Sequence, residues 1–415
     1  MKLLCPVLCS LLLLPQVWPR AEAASFTLET AAAHALRHNA DLAAARFGIE
    51  EARGRFQQSG RLANPALGSE LKPGVNGREG GASIGFMQRF PLTSRLRLER
   101  QVSAKLLTVA VAEVRDAERR LAAQVRTAAV QVLALEAQLA LKERQLANNR
   151  ALGALARKIA GTGEGPTLDA LHFDLEAQQL VVQSLQLDSA RTTVVGGLLP
   201  LLGLAGTETI EFTDPLPEPA ATVADAPALG RRPDHQAAQA RTEAARQAVL
   251  LARANRWEDA GVGLFGAVDR TEDVPDGLRT DGFVGLRFSL PLPFWNRNQG
   301  RVHEATATAA RAVKEVEALA SRIRAEAAAA EAEMRATARL AGQLTNVLLP
   351  QAVQLEERLT RFHREGQSPL ADTLRAREKR LQMEAIRLDA VRDFHLARVR
   401  LLAATGTILT DPEAP

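Results

Sequence analysis

Residues 284–300 read VGLRFSLPLPFWNRNQG, and this stretch combines the two patterns on which the fold depends. Every second residue from Val284 to Leu290 is apolar, while the residues between them are small or polar, which is typical of a β-strand with one apolar face. Pro291 ends the strand because proline has no N–H group to donate to a neighbouring strand. Pro291 and Pro293 therefore mark a junction between a strand and the helix that follows.

The same order of elements occurs earlier in the chain. The tripeptide Phe90-Pro91-Leu92 corresponds to Leu290-Pro291-Leu292, and the dipeptide Glu164-Gly165 corresponds to Glu365-Gly366. We interpret the two halves as a duplicated unit of strand, strand, long helix and return helix. The predicted division is a signal segment 1–23, a first repeat 24–202, a linker 203–231, a second repeat 232–406 and a tail 407–415. One copy alone cannot bury its apolar faces, so each copy needs neighbours.

Four strands are predicted, two in each half, around residues 67–71, 83–90, 261–268 and 284–290. Each stretch has about ten residues, the length that a tilted strand needs to cross a bilayer. The residues predicted to face lipid are Ile84, Phe86, Phe90, Val284, Leu286 and Phe288. Polar, glycine-containing loops join the strands and favour the membrane interpretation; a soluble two-stranded hairpin is the alternative.

The strongest local signals are two long helices, one over 95–160 and one over 313–362. Their apolar residues follow a 4–3 spacing, which imposes a left-handed supercoil. The first helix would be about 100 Å long at 1.5 Å per residue. A two-stranded coiled coil is one interpretation, but small residues on two flanks favour a neighbour on each side, as in a cylindrical wall. Pro350 is predicted to kink the second helix.

Shorter helices are predicted on either side of these elements. One continuous helix is expected over 26–61, before the first strand, and return helices over 167–199 and 370–404. They begin after the turns at 161–166 and 364–369, which contain the Glu-Gly dipeptides.

Composition excludes several classes of protein. The 52 basic and 48 acidic residues are interspersed, so no basic stripe for nucleic acid is present. Tyrosine is absent and aromatic residues are few, which argues against several compact domains. Residues 1–23 have the charge, apolar core and small-residue end of a secretion signal, and both cysteines, Cys5 and Cys9, lie within it. No later segment is long enough to cross a membrane as a helix, so membrane insertion would require strands.

The sequence contains no pattern that indicates catalysis or a cofactor. A phosphate-binding glycine loop, a serine elbow and paired catalytic carboxylates in a pocket-forming context are all missing. His34 and His38 lie four residues apart, a spacing that can hold zinc, but no third ligand is evident nearby. We therefore expect solvated histidines, no metal site and no enzyme.

The ordered motifs resemble the TolC-type outer-membrane factors of Gram-negative tripartite efflux systems over essentially the whole mature length. Residues 290–300 are most similar to the cobalt–zinc–cadmium, or CzcC-like, branch. The other motifs that carry the resemblance are 27–31 with 39–44, 228–238 around Arg232-Pro233-Asp234, Leu349-Pro350-Gln351-Ala352, and Phe362 with Glu365-Gly366.

The resemblance implies a mainly α protein with a membrane β-barrel. Three copies of four strands would form a trimeric 12-stranded barrel that continues into a periplasmic α-helical barrel. The implied function is passive conduction, from an inner-membrane RND pump and a periplasmic adaptor (membrane fusion) protein to the exterior, of heavy-metal cations. The chain would lie in outer-membrane lipid as a homotrimer. A drug-efflux duct, a type I protein-secretion duct and a soluble periplasmic coiled-coil adaptor are the alternatives.

The resemblance also implies roles for the two helix–turn–helix tips. The adaptor would dock on Gly161, Gly163, Glu164, Gly165, Phe362, Glu365, Gly366 and Ser368. Asp372, with Asp169 at the other tip, would form the gate, and three copies of a carboxylate around one axis would attract cations. Asp372 could equally be a helix N-terminal carboxylate stabilised by the helix dipole. Arg375, three residues later, could pair with it and hold the tip shut.

Overall fold

The computed structural model describes residues 24–74, 78–161, 167–206, 208–219, 229–273 and 277–408, and of residues 167–169 and 273 the backbone alone. The predicted secretion signal, both cysteines and most of the predicted tail lie outside these residues. Before the first long helix the elements are β1 Ala24–Phe26, α1 Leu28–His38, α2 Ala40–Gln58, β2 Ala66–Pro73 and β3 Gly80–Phe90. The remainder of the first half consists of α3 Arg95–Gly161 and α4 Thr167–Leu202.

The segment between the halves contains β4 Ile210–Phe212 and a short 3-10 turn over Leu229–Arg231, and the second half begins with α5 Pro233–Ala254. Next come β5 Ala260–Asp273, β6 Gly277–Ser289, α6 Gln299–Gln343, α7 Leu349–Arg364 and α8 Leu370–Thr405. The order helix, two strands, long helix, return helix therefore occurs twice, with the second long helix divided into α6 and α7.

The prediction of one continuous helix over 26–61 is wrong, because the chain breaks at Asn39. Asn39 has extended backbone angles, φ −66° and ψ 125°, and its Oδ1 accepts a hydrogen bond of 2.8 Å from the N–H of Leu42. Its Nδ2 donates to the carbonyl oxygens of Pro200 and Leu201 at the end of α4. One side chain thus caps α2 and joins it to α4, a relationship across 161 residues that local pattern does not show.

The segment between the halves also has more structure than a linker. β4, which the sequence analysis missed, pairs in parallel with β1, so that Phe26 lies opposite Phe212. Residues of β1, α1, α3, α4 and β4 share one buried core that includes Ala35, Val125 and Leu202. This core holds the N-terminal segment against the middle of the long helices.

The four predicted membrane strands form one antiparallel sheet in the order β2-β3-β5-β6. Leu67 lies opposite Phe86, Phe86 opposite Leu264, and Leu264 opposite Leu286, so one row of large apolar side chains crosses all four strands. The two halves are joined through β3 and β5, which makes the sheet a product of both copies. The prediction of four strands with one apolar face is confirmed.

The first long helix is confirmed as α3, which has 67 residues. It packs against α4 and α8 and also against α2 and α5. Ion pairs mark the contacts, for example Arg191 with Glu136 towards α4 and Arg144 with Glu384 towards α8. Since α3 has neighbours on both sides, it belongs to a layer of helices and not to a two-stranded coiled coil.

The second long helix is interrupted just before Pro350, as predicted. Residues 344–348 form one wide turn in which the N–H of Leu349 donates to the carbonyl of Leu344, five residues earlier. Proline has no N–H group and its ring clashes with the carbonyl four residues before it, so the regular helix cannot pass this point.

Candidate functional site

The sheet separates apolar from charged side chains on its two faces. Ile84, Phe86, Phe90, Val284, Leu286 and Phe288 all lie on one face, which we call the apolar face. Their exposed fractions range from 46% to 78%, so this chain alone leaves large apolar groups uncovered. The pattern places the six residues predicted to face lipid together.

The opposite face, which we call the polar face, carries most of the charges of the sheet. They are Glu70, Lys72, Arg89, Asp269, Arg279, Asp281 and Arg287. Arg270 and Glu272, near the loop end of β5, are the charged residues described on the apolar side. Polar and apolar side chains thus alternate along each strand, which suits a sheet with lipid on one side and water on the other.

The second helical tip lies between the end of α7 and the start of α8. Gly366 has a left-handed φ of +73°, which favours glycine, and its N–H donates to the carbonyl of His363. The N–H of Gln367 donates to the carbonyl of Phe362 at 2.8 Å. This pair of bonds closes the end of α7 and reverses the chain within a few residues. Phe362, Glu365, Gly366 and Ser368 therefore lie together at this turn between α7 and α8.

Asp372 lies in the first turn of α8, next to this tip. One carboxylate oxygen is 3.7 Å from Nη1 of Arg375, and the other is 3.4 Å from the hydroxyl of Ser368. Asp372 and Arg375 are thus close enough to pair, although both side chains remain substantially exposed. At the first tip, Gly161 is the last residue of α3, Gly163, Glu164 and Gly165 lie outside the described residues, and the side chain of Asp169 is not described.

Beside the second tip, α7 and α8 are joined by a charged cluster. Glu356 accepts hydrogen bonds from Arg377 at 2.9 Å and Arg380 at 2.6 Å. Burial acts to raise the pKa of Glu356, but the hydrogen bonds from the two arginines outweigh it and the pKa lies below its ordinary value. The pair of helices at the tip is therefore held by an ionised carboxylate.

A polar layer lies between α3 and α8 close to the same tip. Asn148, which is buried, donates from Nδ2 to the carbonyl of Leu374 at 3.2 Å and approaches Glu378 at 3.5 Å. Burial raises the pKa of Glu378, and the nearby Glu176 on α4 raises it further, against hydrogen bonds from Asn148 and Gln382. Polar groups thus occupy a helix interface that apolar residues fill elsewhere.

His34 and His38 stack on each other with ring centroids 4.1 Å apart. Burial lowers the pKa of His34, and the neighbouring His38 lowers it further. Within the part of the chain that the structure describes, no group of three or more His, Cys, Asp or Glu side chains is arranged to hold a metal ion. The pair is explained by packing at the end of α1.

None of the helices in the described residues combines the length and the apolarity needed to cross a membrane.

No protein-family model matches the sequence, and no curated protein matches it either. Several solved structures, however, are similar to this chain. The chain is similar to the outer-membrane channel OprN, with a TM-score of 0.73, 20% identity, and 91% and 89% of the two chains covered. It is similar to CusC, described for its transmembrane channel formation, with a TM-score of 0.74, 17% identity and 92% of each chain covered.

The outer membrane protein VceC of Vibrio cholerae gives a TM-score of 0.70 at 20% identity, over 91% of this chain and 96% of that one. The chain therefore has the TolC-like outer-membrane channel fold: mainly helical, with a four-stranded sheet at the start of the long helices.

Proposed function

We propose that this chain is the outer-membrane channel of a tripartite efflux system, of the TolC type, and that it conducts solutes passively from the periplasm to the exterior of a Gram-negative cell. The observation that carries the proposal is the separation of the two sheet faces. Leu286 and Phe288 are 66% and 72% exposed on the apolar face, whereas Arg287 between them belongs to the polar face. Lipid can cover the first face and water the second.

A homotrimer supplies what one chain lacks. β2 and β6 are the edges of the sheet, and their unpaired N–H and C=O groups would be costly in lipid. If β6 of one copy pairs with β2 of the next, three copies of four strands close into one barrel without edges. Exposed leucines on the helices also support a ring of three copies. Leu175 on α4 is 61% exposed and Leu355 on α7 is 49% exposed, so both helices have apolar groups that a neighbouring copy can cover. Packing α4 of one copy against α7 of the next is a contact that closes a ring.

The helical tips fit the partner contacts that the resemblance implies. A periplasmic adaptor would dock around Phe362, Glu365, Gly366 and Ser368 and at the corresponding first tip, and an inner-membrane RND pump would supply the cargo. Phe362 is 43% exposed at the tip, which leaves an apolar group available for such a contact. The role is conduction and not catalysis.

For the cargo, the resemblance to the CzcC-like branch favours heavy-metal cations. Asp372 supports it, because three carboxylates around one axis would attract cations. A drug-efflux duct and a type I secretion duct would have the same architecture, so only the transported substrate distinguishes these alternatives from a metal-efflux duct. Growth of a deletion strain on zinc, cobalt, cadmium, copper and hydrophobic drugs tests this assignment, and a strain sensitive to drugs alone would contradict the metal assignment.

The channel itself is tested by fractionation and reconstitution of the full chain. We expect it in the outer-membrane fraction, extractable with detergent as a trimer, and conductive in planar lipid bilayers. A soluble periplasmic adaptor would stay in the supernatant when membranes are pelleted. A folded monomer in buffer without detergent would overturn the proposal.

A further inference from the structure

The polar face of the sheet contains an aromatic side chain, Phe265, that lies between two glycines of the neighbouring strands. Phe265 shares its register row with Gly85 and Gly285. A Cβ atom at Gly285 would lie 2.8 Å from two carbon atoms of the Phe265 ring, and one at Gly85 would lie 3.1 Å from the Phe265 Cβ. Glycine weakens a strand, so two glycines beside one ring indicate that the ring needs this space.

Arg287 covers this ring. Its guanidinium carbon is 5.0 Å from the centroid of the Phe265 ring, within the range of a cation–π interaction. In the described part of the chain no acidic side chain forms an ion pair with Arg287. Arg279 on the same strand is different, because its Nε lies 3.0 Å from Asp281. Arg287 therefore presents a charge without a counter-ion on the polar face.

A cavity of about 280 Å³ lies against these groups. Its lining includes Gly68 and Gly85, which have no side chains, together with Phe265 and Arg287. Glu70 also lines it, but Lys72 is 3.5 Å from this carboxylate and offsets its charge. A flat apolar floor, an aromatic wall and one unpaired cation match a planar ring that carries a negative group.

We propose that Phe265 and Arg287 form a transit site for aromatic organic anions, carboxylates or sulfonates, on the water-filled side of the sheet. The guanidinium can bind either group through two parallel hydrogen bonds, and the ligand ring packs against Phe265. The site rests on the proposed channel, in which three copies of Arg287 lie at one height and form a positive ring. It adds aromatic organic anions, which would bind in the barrel, to the cations that Asp372 would attract at the opposite end of the channel.

The test is current through single trimers in planar bilayers, with 1-naphthalenesulfonate as the probe. We expect millimolar probe to reduce the current of the wild type, and at least fivefold more probe to be needed in Arg287→Gln. Phe265→Leu should weaken the block to a smaller degree, because the cation remains. Arg279→Gln is the matched control, since it removes a lumen-side arginine that is already paired, and its block should equal that of the wild type. The reversal potential in a KCl gradient should shift towards cation selectivity in Arg287→Gln, because one positive charge per copy is lost from the polar face.

The outcomes separate the site from the channel. Wild-type current with equal block in Arg287→Gln and the wild type overturns the transit site and leaves the channel standing. Equal block of Arg287→Gln and Arg279→Gln would reduce the site to general lumen charge and also overturn it. Absence of any wild-type current contradicts the proposed function itself. If Arg287→Gln does not assemble, Phe265→Leu decides, and an undiminished block in that variant refutes the site.

Discussion

Arg232 and Asp234 form an ion pair at the start of α5, with 2.5 Å between Nη2 and Oδ2. Arg232 is 5% exposed, and its Nη1 also donates to Glu326 on α6 and to the carbonyl of Ala404 at the end of α8. Nearby, Arg119 on α3 donates hydrogen bonds to Asp116 and to the carbonyl of Ala403 on α8. Two arginines thus join four helices at one level of the molecule.

Replacement of Arg232 by methionine should destabilise this junction. Burial acts to raise the pKa of Asp234, but hydrogen bonds and charge from Arg232 outweigh it, so the pKa lies below its ordinary value. A lowered aspartate pKa contributes stability that is present above the ordinary aspartate pKa and is lost as pH falls through the lowered value. Arg232→Met should therefore cost roughly 1–3 kcal/mol at pH 7, because it leaves a half-buried carboxylate without its arginine partner.

Thermal unfolding in detergent, followed by circular dichroism, measures this loss. Glu51→Gln is the control, since its pair with Arg55 is 70% exposed on both sides and should contribute little. Equal melting temperatures for Arg232→Met and Glu51→Gln at pH 7 would show that the junction does not hold the helices.

Leu286→Arg should block assembly of the sheet in lipid. Leu286 is the end of the row that runs through Leu264 and Phe86 on the apolar face. An arginine facing lipid near the middle of a bilayer costs about 2–4 kcal/mol per copy. Trimer yield in the outer-membrane fraction, measured on gels without heating, should fall severely.

Ser83→Arg is the matched control for this charge. Ser83 lies on the polar face directly opposite Glu70, so an added arginine there meets water and a carboxylate. Its trimer yield should match the wild type. If both variants assemble normally, the apolar face does not contact lipid.

Local period explains which elements could be predicted from sequence. The alternation from Val284 to Leu290 and the 4–3 spacing of the long helices repeat many times, so single exceptions do not hide them. Asn39 was not assigned as a break in this way, because the bonds from its Nδ2 to Pro200 and Leu201, which hold it at the end of α4, leave no trace in the local pattern. β1 and β4 have three residues each and pair only through the folded core.

The candidate site likewise contains residues that the local sequence pattern predicts and residues that it does not. The placement of the six residues on the apolar face follows from period two alone. Phe265 was not predicted, because the glycine at position 266 interrupts the alternation of β5, and because its contact with Arg287 crosses to another strand. Pairing between Asp372 and Arg375 could be foreseen from their spacing of three residues on one helix.

Asp372→Ala should increase ion leakage through reconstituted trimers. Removal of the carboxylate takes away the group near Arg375 and Ser368 and, in a trimer, the charge around the proposed gate. Single-channel recordings should show a higher open probability at rest. Glu357→Ala is the control, because it removes an exposed glutamate of α7 away from the proposed gate, and this variant should conduct as the wild type does. Unchanged conductance in Asp372→Ala would remove the gate role from this residue.

Glu378→Gln should raise stability at neutral pH. Because the pKa of Glu378 is raised in the folded chain, its favourable contribution is present when it is protonated at low pH and is lost as pH rises through the raised value. The groups that face it are Asn148 and Lys142 from α3, Glu176 from α4 and Gln382 from its own helix. The neutral glutamine avoids the cost of a buried charge, so the melting temperature of the variant should exceed that of the wild type at pH 8.

The same comparison at pH 4 supplies the internal control, because Glu378 carries less charge there and the difference between the two melting temperatures should shrink. A constant difference across this range would mean that the glutamine acts through packing and not through charge.

Gly366→Ala should loosen the second tip, whereas Gly342→Ala should not. Gly366 has φ +73° with no atom near its missing Cβ, so alanine there suffers backbone strain alone, roughly 1–2 kcal/mol. Gly342 lies within α6, where alanine favours the helix by roughly 0.5–1 kcal/mol. Amide hydrogen exchange should therefore become faster at Gln367, whose N–H closes α7, in Gly366→Ala only. Unaltered exchange at Gln367 would show that the left-handed residue is not what reverses the chain, and the tip would then have to be held by the contact of His363 with Ser368.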